Sequence, residues 1–278
     1  MAHATINGAS LFYEDTKGDG EVILFHHGYT GSHDSWEHVV PAMKDTFRCI
    51  IMDCRGAGDS EHTASGYTIA QYADDVIGLI DQLGIEKFTY VGHSMGGVVG
   101  MELGIRYGHR LNKLVLVAPA PADGIDTSNA AARAAREHGR ALYQAKDRVT
   151  MISERMQTSA RPEYERISAA SDRALSVSEG HYETSWDELV TSRRGDQLAQ
   201  ITTPTLVVSG AADGLLTPNL KDFQRLPNAT LHVFSRISHG VHQEEAAPFN
   251  VMLRDFMEHG VVTAGTLLAA MRQPALAR

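Results

Sequence analysis

One stretch of the sequence, residues 91–97, constrains the fold more than any other. It reads Val-Gly-His-Ser-Met-Gly-Gly, follows an apolar run at residues 88–91 that is typical of a β-strand, and opens a helical pattern. Ser94 therefore lies in a G-x-S-x-G pattern at a sharp turn between a strand and a helix. Because a Cβ atom at Gly92 or Gly96 would collide with the neighbouring strand and helix, the glycines indicate a tight and strained turn.

A strained turn of this kind has a chemical use. It exposes the Ser94 hydroxyl, and it leaves the first amides of the following helix unpaired, so that they can bind an oxyanion. The alternative is an ordinary glycine-rich loop, since G-x-S-x-G arises by chance in roughly one chain in ten of this length. Ser94 is therefore a candidate nucleophile that needs support from other residues.

Composition limits the class of protein. The chain has 278 residues, of which 43% are apolar, with no apolar run long enough to cross a membrane and no basic segment followed by an apolar one. We therefore expect a globular protein of the cytoplasm, without a secretory signal or a membrane span. A net charge of −9 argues against nucleic acid or an anionic membrane as a partner. Cys49 and Cys54 are close in sequence, and we expect free thiols in a reducing compartment.

Predicted strands and helices alternate along most of the chain. An Asn-Gly pair at residues 7–8, between two short β-prone runs, predicts a hairpin. The runs that read as strands are at residues 22–25, 47–52, 88–91, 113–117, 204–209 and 229–234, and the helical patterns are at residues 34–43, 68–83, 94–107 and 248–259. This alternation predicts an α/β fold, with a parallel sheet covered by helices on both faces.

The alternation stops between residues 121 and 184. This segment is rich in Ala, Arg and Glu and has no convincing strand, so it reads as a helical insertion rather than as a linker. We predict a core made of residues 1–120 and 185–260, with the insertion between its two parts. The tail, residues 261–278, is compatible with one further helix or with a frayed end.

Two residues are candidates to activate Ser94, because a serine hydroxyl needs a base and that base needs an orienting group. Reacting groups in parallel sheets collect at the carboxyl ends of strands, and Asp213 and His239 each follow a predicted strand. The chain order Ser94, Asp213, His239 is the one expected for a nucleophile on such a turn. Asp213 could instead cap the next helix. Asp123 is the alternative candidate for the orienting carboxylate, and His242 is the alternative candidate for the base.

The oxyanion is expected to bind two backbone amides, one from Met95 and one from Tyr29. Gly28 would let the chain turn so that the Tyr29 amide faces Ser94. The simpler interpretation is a plain turn, with His27 as a structural polar residue.

The loop that follows the predicted strand at residues 47–52 is expected to support the site around Ser94. This loop is rich in glycine and carries Asp53 and Arg55. We expect both side chains to form hydrogen bonds with neighbouring loops rather than to react.

These motifs together resemble those of the α/β-hydrolase-fold family, and the resemblance runs from about residue 5 to residue 260. The matching motifs are His27-Gly28-x-x-Gly31 with Trp36, Asp53-x-Arg55-Gly56-x-Gly58-x-Ser60, Gly92-His93-Ser94-Met95-Gly96-Gly97, Gly210-x-x-Asp213 with Pro218, and Ile237-Ser238-His239. The resemblance implies an eight-stranded, mostly parallel sheet, with residues 121–184 as a helical lid over the site. A doubled histidine at residues 26–27, and Ser238 where glycine is common, are small departures.

The resemblance also implies a class of reaction. Dehalogenases and epoxide hydrolases of this family carry Asp at the position of Ser94, so a serine favours hydrolysis of a small carboxylic ester through an acyl-enzyme. Lactone or thioester hydrolysis, cleavage of a carbon–carbon bond in a vinylogous diketone, and the cofactor-free haloperoxidase and perhydrolase reactions use the same groups. The carbon–carbon hydrolases usually carry Asn before the serine and Trp shortly after the histidine, where this chain has His93 and Val241-His242. A non-catalytic receptor is the remaining alternative.

The expected partner is a small ester or a related acyl substrate, bound without a metal or cofactor. Trp186, Tyr143 and Met151 are candidates to line an apolar pocket, or else to pack within the lid. One of the arginines of the insertion could bind a substrate carboxylate, although ion pairs on a solvated surface are the simpler explanation. A metal hydrolase is a further alternative, because paired histidines could supply nitrogen ligands, but no H-E-x-x-H motif is present. The sequence does not indicate an oligomeric state.

Overall fold

Eight strands form one sheet in the computed structural model, which describes residues 1–272. The strands are β1 (Ala2–Ile6), β2 (Ala9–Asp15), β3 (Val22–His26), β4 (Arg48–Met52), β5 (Phe88–His93), β6 (Leu111–Val117), β7 (Thr205–Gly210) and β8 (Ala229–Phe234). They lie in the order β1-β2-β4-β3-β5-β6-β7-β8. The β1–β2 and β2–β4 pairs are antiparallel and all other neighbouring pairs are parallel. The expected eight-stranded, mostly parallel sheet is confirmed.

Helices cover both faces of this sheet. They are α1 (Val40–Met43), α2 (Ile69–Gln82), α3 (Met95–Tyr107), α4 (Ala130–Ala145), α5 (Arg148–Thr158), α6 (Tyr164–Ser176), α7 (Glu179–Thr191), α8 (Leu216–Arg225), α9 (Val241–Glu244), α10 (Ala246–His259) and α11 (Ala264–Arg272). Within residues 1–272 no helix combines the length and the apolar character that a membrane crossing needs. The predicted tail contributes α11, and its residues 273–278 lie outside the described part of the chain.

Successive residues of the central strands point to opposite faces and build two separate cores. Leu24 packs into the core that contains α2 and α3, whereas Ile23 and Phe25 pack into the core that contains α10. A strand that is buried on both faces needs apolar residues at every position, which is why these strands read as continuous apolar runs. Cys49 and Cys54 are both buried free thiols, as predicted.

The helical insertion consists of α4–α7 and lies between β6 and β7. Polar side chains explain where three of these helices begin: Asn129 caps α4, Asp147 caps α5 and Ser178 caps α7, each accepting a hydrogen bond from an amide in the first turn. The last helix, α7, extends past the predicted boundary at residue 184, because its apolar and polar contacts with the core continue to Leu189.

The region at residues 34–43 differs from the single helix that the sequence predicts. It forms a 3₁₀ turn at His33–Trp36 and the short helix α1. Trp36 is fully buried, with its ring centroid 5.1 Å from that of Phe25. Burying this large side chain bends the segment, and Pro41, which lacks an amide hydrogen, is accommodated at the start of the second piece.

Candidate active site

The turn after β5 places Ser94 at the carboxyl edge of the sheet. Ser94 has φ 54° and ψ −111°, a strained conformation for a residue with a side chain. Its amide donates to the Val117 carbonyl at 2.9 Å, which ties the turn to the neighbouring strand β6. A Cβ atom at Gly92 would lie 2.2 Å from the Gly96 carbonyl oxygen, and one at Gly96 would lie 2.7 Å from the backbone of β3. The glycines are therefore required by the close approach, as the sequence indicated.

Ser94, His239 and Asp213 form a continuous chain of hydrogen bonds. His239 Nε2 lies 2.9 Å from Ser94 Oγ, and His239 Nδ1 lies 2.8 Å from Asp213 Oδ2. Asp213 follows β7 and His239 follows β8, so both loops start at the same edge of the sheet as the Ser94 turn. Gly210 brings the two loops together, since a Cβ atom there would lie 2.2 Å from the Ser238 carbonyl oxygen.

Asp213 is held as a charged acceptor. Burial by itself would raise the pKa of Asp213, but the hydrogen bond and charge of His239, and a bond from the Leu215 amide, lower the pKa below its ordinary value. Asp213 also acts in part as the helix cap of the alternative interpretation, because the Leu215 amide that it binds lies just before α8. The competitor Asp123 lies away from His239 and pairs with Lys221 and Arg225 at 2.7 and 2.8 Å.

Two backbone amides near Ser94 are available to an oxyanion. Met95 is the first residue of α3, so its amide has no partner within the helix. Tyr29 lines the same cavity as Ser94, and a Cβ atom at Gly28 would lie only 3.1 Å from Ser94 Cβ. Within the described residues, neither the Met95 amide nor the Tyr29 amide donates to a protein acceptor. The geometry therefore suits the predicted oxyanion-binding pair.

The residues predicted to support the site connect its loops. His27 places Nδ1 2.8 Å from the Gly28 carbonyl oxygen, and its Nε2 accepts a hydrogen bond from the Cys54 amide. Asp53 accepts hydrogen bonds from the His33 amide at 2.6 Å and the His33 ring at 2.8 Å.

Arg55 donates two hydrogen bonds of 2.7 Å to the Asp75 carboxylate. Asp75 belongs to α2, so this buried pair ties the glycine-rich loop after β4 to the helix. A bidentate pair of this kind fixes the orientation of both side chains.

His93 has a role that the sequence did not suggest. Its Nε2 lies 3.0 Å from the His239 carbonyl oxygen, and burial keeps the pKa of His93 well below its ordinary value. The neutral ring therefore donates to the backbone that carries the candidate base. The only signal in the sequence was the position of His93 beside Ser94. His242, the competitor of His239, is buried with its ring centroid 4.2 Å from that of Trp36.

A cavity of about 140 Å³ opens in front of Ser94. A second cavity of about 420 Å³ adjoins it and extends between α5, α6 and the loop after β8. Five residues line both cavities: His93, Arg155, Ala170, His239 and Gln243. Arg155 and Arg173 come from the helical insertion, and the sequence did not single out either of them.

The three residues predicted to bind substrate lie outside the two cavities beside Ser94. Tyr143 is buried with its ring stacked 3.9 Å from that of Tyr182, and Met151 packs with other apolar residues inside the insertion. Trp186 lies beside the Tyr29 ring and under the guanidinium of Arg136. None of the three lines the two cavities beside Ser94, because packing between the insertion helices uses these side chains.

Within residues 1–272, no three His, Cys, Asp or Glu side chains come together as a metal-binding group. The rings of His239 and His242 diverge, since the first faces Ser94 and the second packs on Trp36.

Comparisons with known proteins agree with this architecture. A family model described as alpha/beta hydrolase fold matches residues 21–246. The chain is 30% identical over 272 residues to a 2-hydroxy-6-oxononadienedioate/2-hydroxy-6-oxononatrienedioate hydrolase of Paraburkholderia phymatum, covering 89% of this chain and 90% of that protein. It is 27% identical over 256 residues to the dihydrolipoyllysine-residue acetyltransferase component of the acetoin cleaving system of Cupriavidus necator, covering 90% and 67%.

Solved structures show the same fold. The bromoperoxidase from Bacillus anthracis superposes with a TM-score of 0.83 and 24% identity, over 92% of this chain and 99% of that one. With the family model matched over most of the chain and the sheet topology in agreement, the protein belongs to the α/β-hydrolase-fold family.

Proposed function

We propose that the protein is a serine hydrolase that cleaves a small carboxylic ester through an acyl-enzyme. The observation that carries the proposal is the hydrogen-bond chain from Ser94 through His239 to Asp213, which opens onto a cavity. A serine hydroxyl that bonds to an oriented imidazole is the arrangement that nucleophilic catalysis requires.

Each group has a defined role in the proposed reaction. Ser94 Oγ attacks the ester carbonyl carbon while His239 Nε2 takes the serine proton, and Asp213 stabilises the resulting imidazolium. The amides of Tyr29 and Met95 bind the oxyanion of the tetrahedral intermediate. His239 then gives its proton to the leaving alcohol, and a water, deprotonated by the same ring, releases the acid from Ser94.

Cleavage of a carbon–carbon bond in a vinylogous diketone is a second candidate. The relative named as a 2-hydroxy-6-oxononadienedioate hydrolase supports it. Where such enzymes usually carry Asn before the serine and Trp shortly after the histidine, this chain has His93 and Val241-His242. His93 bonds to the His239 backbone and His242 packs on Trp36, so neither supplies the side chain typical of those enzymes. We therefore favour the ester.

The test is hydrolysis of p-nitrophenyl esters, from acetate to decanoate, by the wild type and by Ser94→Ala. We expect a burst of p-nitrophenol followed by turnover, a serine-bound acyl group by mass spectrometry, and a loss of about 10,000-fold or more in the variant. The chain-length profile measures the size of the acyl pocket. If the wild type cleaves a 2-hydroxy-6-oxodienoate but none of the esters, the second candidate replaces the first.

A further inference from the structure

Arg155 differs from the other arginines of the helical insertion. Each of the other seven donates to a carboxylate or to a backbone carbonyl. The guanidinium of Arg155 makes no hydrogen bond and no ion pair with any residue of the described chain. Unlike an exposed arginine on a helix surface, it is partly buried.

The position of Arg155 is as unusual as its lack of a partner. It projects from α5 to the junction of the two cavities, and the smaller of these is the one that Ser94 and His239 line. Burial lowers the pKa of Arg155, and the nearby positive charge of Arg173 lowers it further. An arginine stays protonated even so, and a desolvated charge without a counter-ion is costly. An anion in the cavity would relieve this cost.

The other charged side chains that line the two cavities already have partners. Arg173 and Arg166 also line the cavities, where they pair with Asp34 at 3.3 Å and with Glu163 at 3.8 Å. The carboxylates that line the same space are already engaged. They are Asp213, bound to His239, and Glu244, bound to Ser238. Among the arginines that line the cavities, Arg166 and Arg173 thus have carboxylate partners within the described chain, whereas Arg155 is left to bind an anion.

We propose that Arg155 binds a carboxylate of the substrate, so that the preferred substrate is an ester that carries a free carboxylate besides the bond that is cleaved. This inference rests on the hydrolysis proposed at Ser94. The planar guanidinium can donate two parallel hydrogen bonds to a carboxylate, which orients the ester as well as binding it. The carboxylate can belong to the acyl part or to the alcohol part.

Matched pairs of esters test this inference and separate its two forms. The acyl arm compares 4-nitrophenyl hydrogen adipate with its methyl ester, and the alcohol arm compares 3-acetoxybenzoate with methyl 3-acetoxybenzoate. In at least one arm we expect the wild type to prefer the acid, measured as the ratio of kcat/KM between acid and methyl ester. In Arg155→Gln this ratio is expected to fall about 10- to 100-fold, mainly through KM. Arg155→Lys should restore part of it.

Arg148→Gln is the matched control. It removes a charge from the same helix, but Arg148 pairs with Asp172 on the outside of the insertion, so the ratio should stay at its wild-type value. A fall of equal size in this variant would mean that the total charge, and not the Arg155 site, sets the preference. A wild type without preference for the acid in either arm, or an unchanged ratio in Arg155→Gln, would overturn the inference.

Calorimetric binding of adipate distinguishes this inference from the proposed function. If the wild type cleaves none of the esters, the hydrolase proposal fails. Adipate binding that Arg155→Gln weakens about 10-fold or more would then still support the anion site. Cleavage of the neutral esters, with adipate binding absent or independent of Arg155, would retain the hydrolase and remove the anion site.

Discussion

The edge of the sheet that carries Ser94 and the helical insertion that lines the cavities beside it are built in different ways. At the sheet edge the backbone sets the positions of atoms: a Cβ atom at Gly96 would lie 2.7 Å from the His26 carbonyl oxygen. In the insertion, long charged side chains make many of the contacts. Arg148 and Asp172, for example, pair with about half of each side chain exposed.

The two regions therefore respond differently to substitution. Where two backbone segments lie this close, an added atom fits only if a strand or a helix moves, so the geometry around Ser94 tolerates little change. Exposed ion pairs contribute little free energy, so the insertion can exchange side chains at little cost. We expect the sheet edge to determine the reaction and the insertion to determine which substrate is accepted.

The largest effect is expected at the sheet edge, in Asp213→Asn. Without the carboxylate, the imidazolium of His239 is no longer stabilised and the ring is no longer held in the correct tautomer. We expect kcat to fall about 1,000- to 10,000-fold, with little change in KM or in thermal stability. Asp123→Asn is the control, because Asp123 pairs with Lys221 and Arg225 away from His239. A similar loss in the control would mean that the wrong carboxylate has been identified.

The second prediction compares the effect of a glycine-to-alanine substitution on the free energy of unfolding in the two regions. Gly92→Ala at the sheet edge would bring a Cβ atom 2.2 Å from the Gly96 carbonyl oxygen, and we expect the free energy of unfolding to fall by about 3 kcal/mol or more. Gly139→Ala lies in α4, where the nearest atom to the new Cβ is Tyr182 Oη at 3.7 Å. There we expect a gain of about 0.5–1 kcal/mol, because alanine favours the helix.

Urea unfolding of both variants measures this contrast. Equal effects on the free energy of unfolding in the two variants would contradict the view that backbone approach distinguishes the sheet edge from the insertion.

The smallest effect concerns His33, beside the contact between the loop after β3 and the insertion. Burial alone would lower the pKa of His33, but hydrogen bonds and charges from Asp34 and Asp53 raise it to about 10. The folded state therefore binds the proton more tightly than the unfolded state. The resulting stabilisation is complete below about pH 6.5 and is lost as the pH rises through about 10.

We expect His33→Gln to lower the free energy of unfolding by about 1 kcal/mol at pH 6, a modest value because solvent screens part of the pair. The difference from the wild type should shrink toward pH 10, as measured by urea unfolding across this range. A difference that keeps its size at every pH would mean that the ring acts by packing, since its centroid lies 4.5 Å from that of Phe12.

Local patterns predicted most of the fold. The Asn7-Gly8 turn has φ of 48° and 77°, which suits a two-residue hairpin, and the structure pairs Ile6 with Ala9 across it. The candidate site was predictable for the same reason, because Ser94, Asp213 and His239 each follow a strand, and parallel strands end at one edge. The role of His93 was not, because it depends on the backbone of a loop 146 residues away in sequence.

The contents of the insertion were the least predictable part. Tyr143 and Met151 are residue types that often line substrate pockets, but the same apolar side chains also pack well between helices. Arg155 could not be distinguished from the neighbouring arginines, because the presence or absence of a partner depends on how four helices pack.

The amino-acid sequence was sufficient to predict the order of strands and helices, the strained turn at Ser94 and the family, because these depend on spacing within short segments and on glycines that nothing else can replace. Three features became visible in the folded protein: Arg155 faces the cavity, His93 holds the loop of His239, and Trp186 does not reach Ser94. Such contacts join residues that are far apart in sequence. The free energies of side-chain packing and desolvation that select these contacts exist only once the chain is folded.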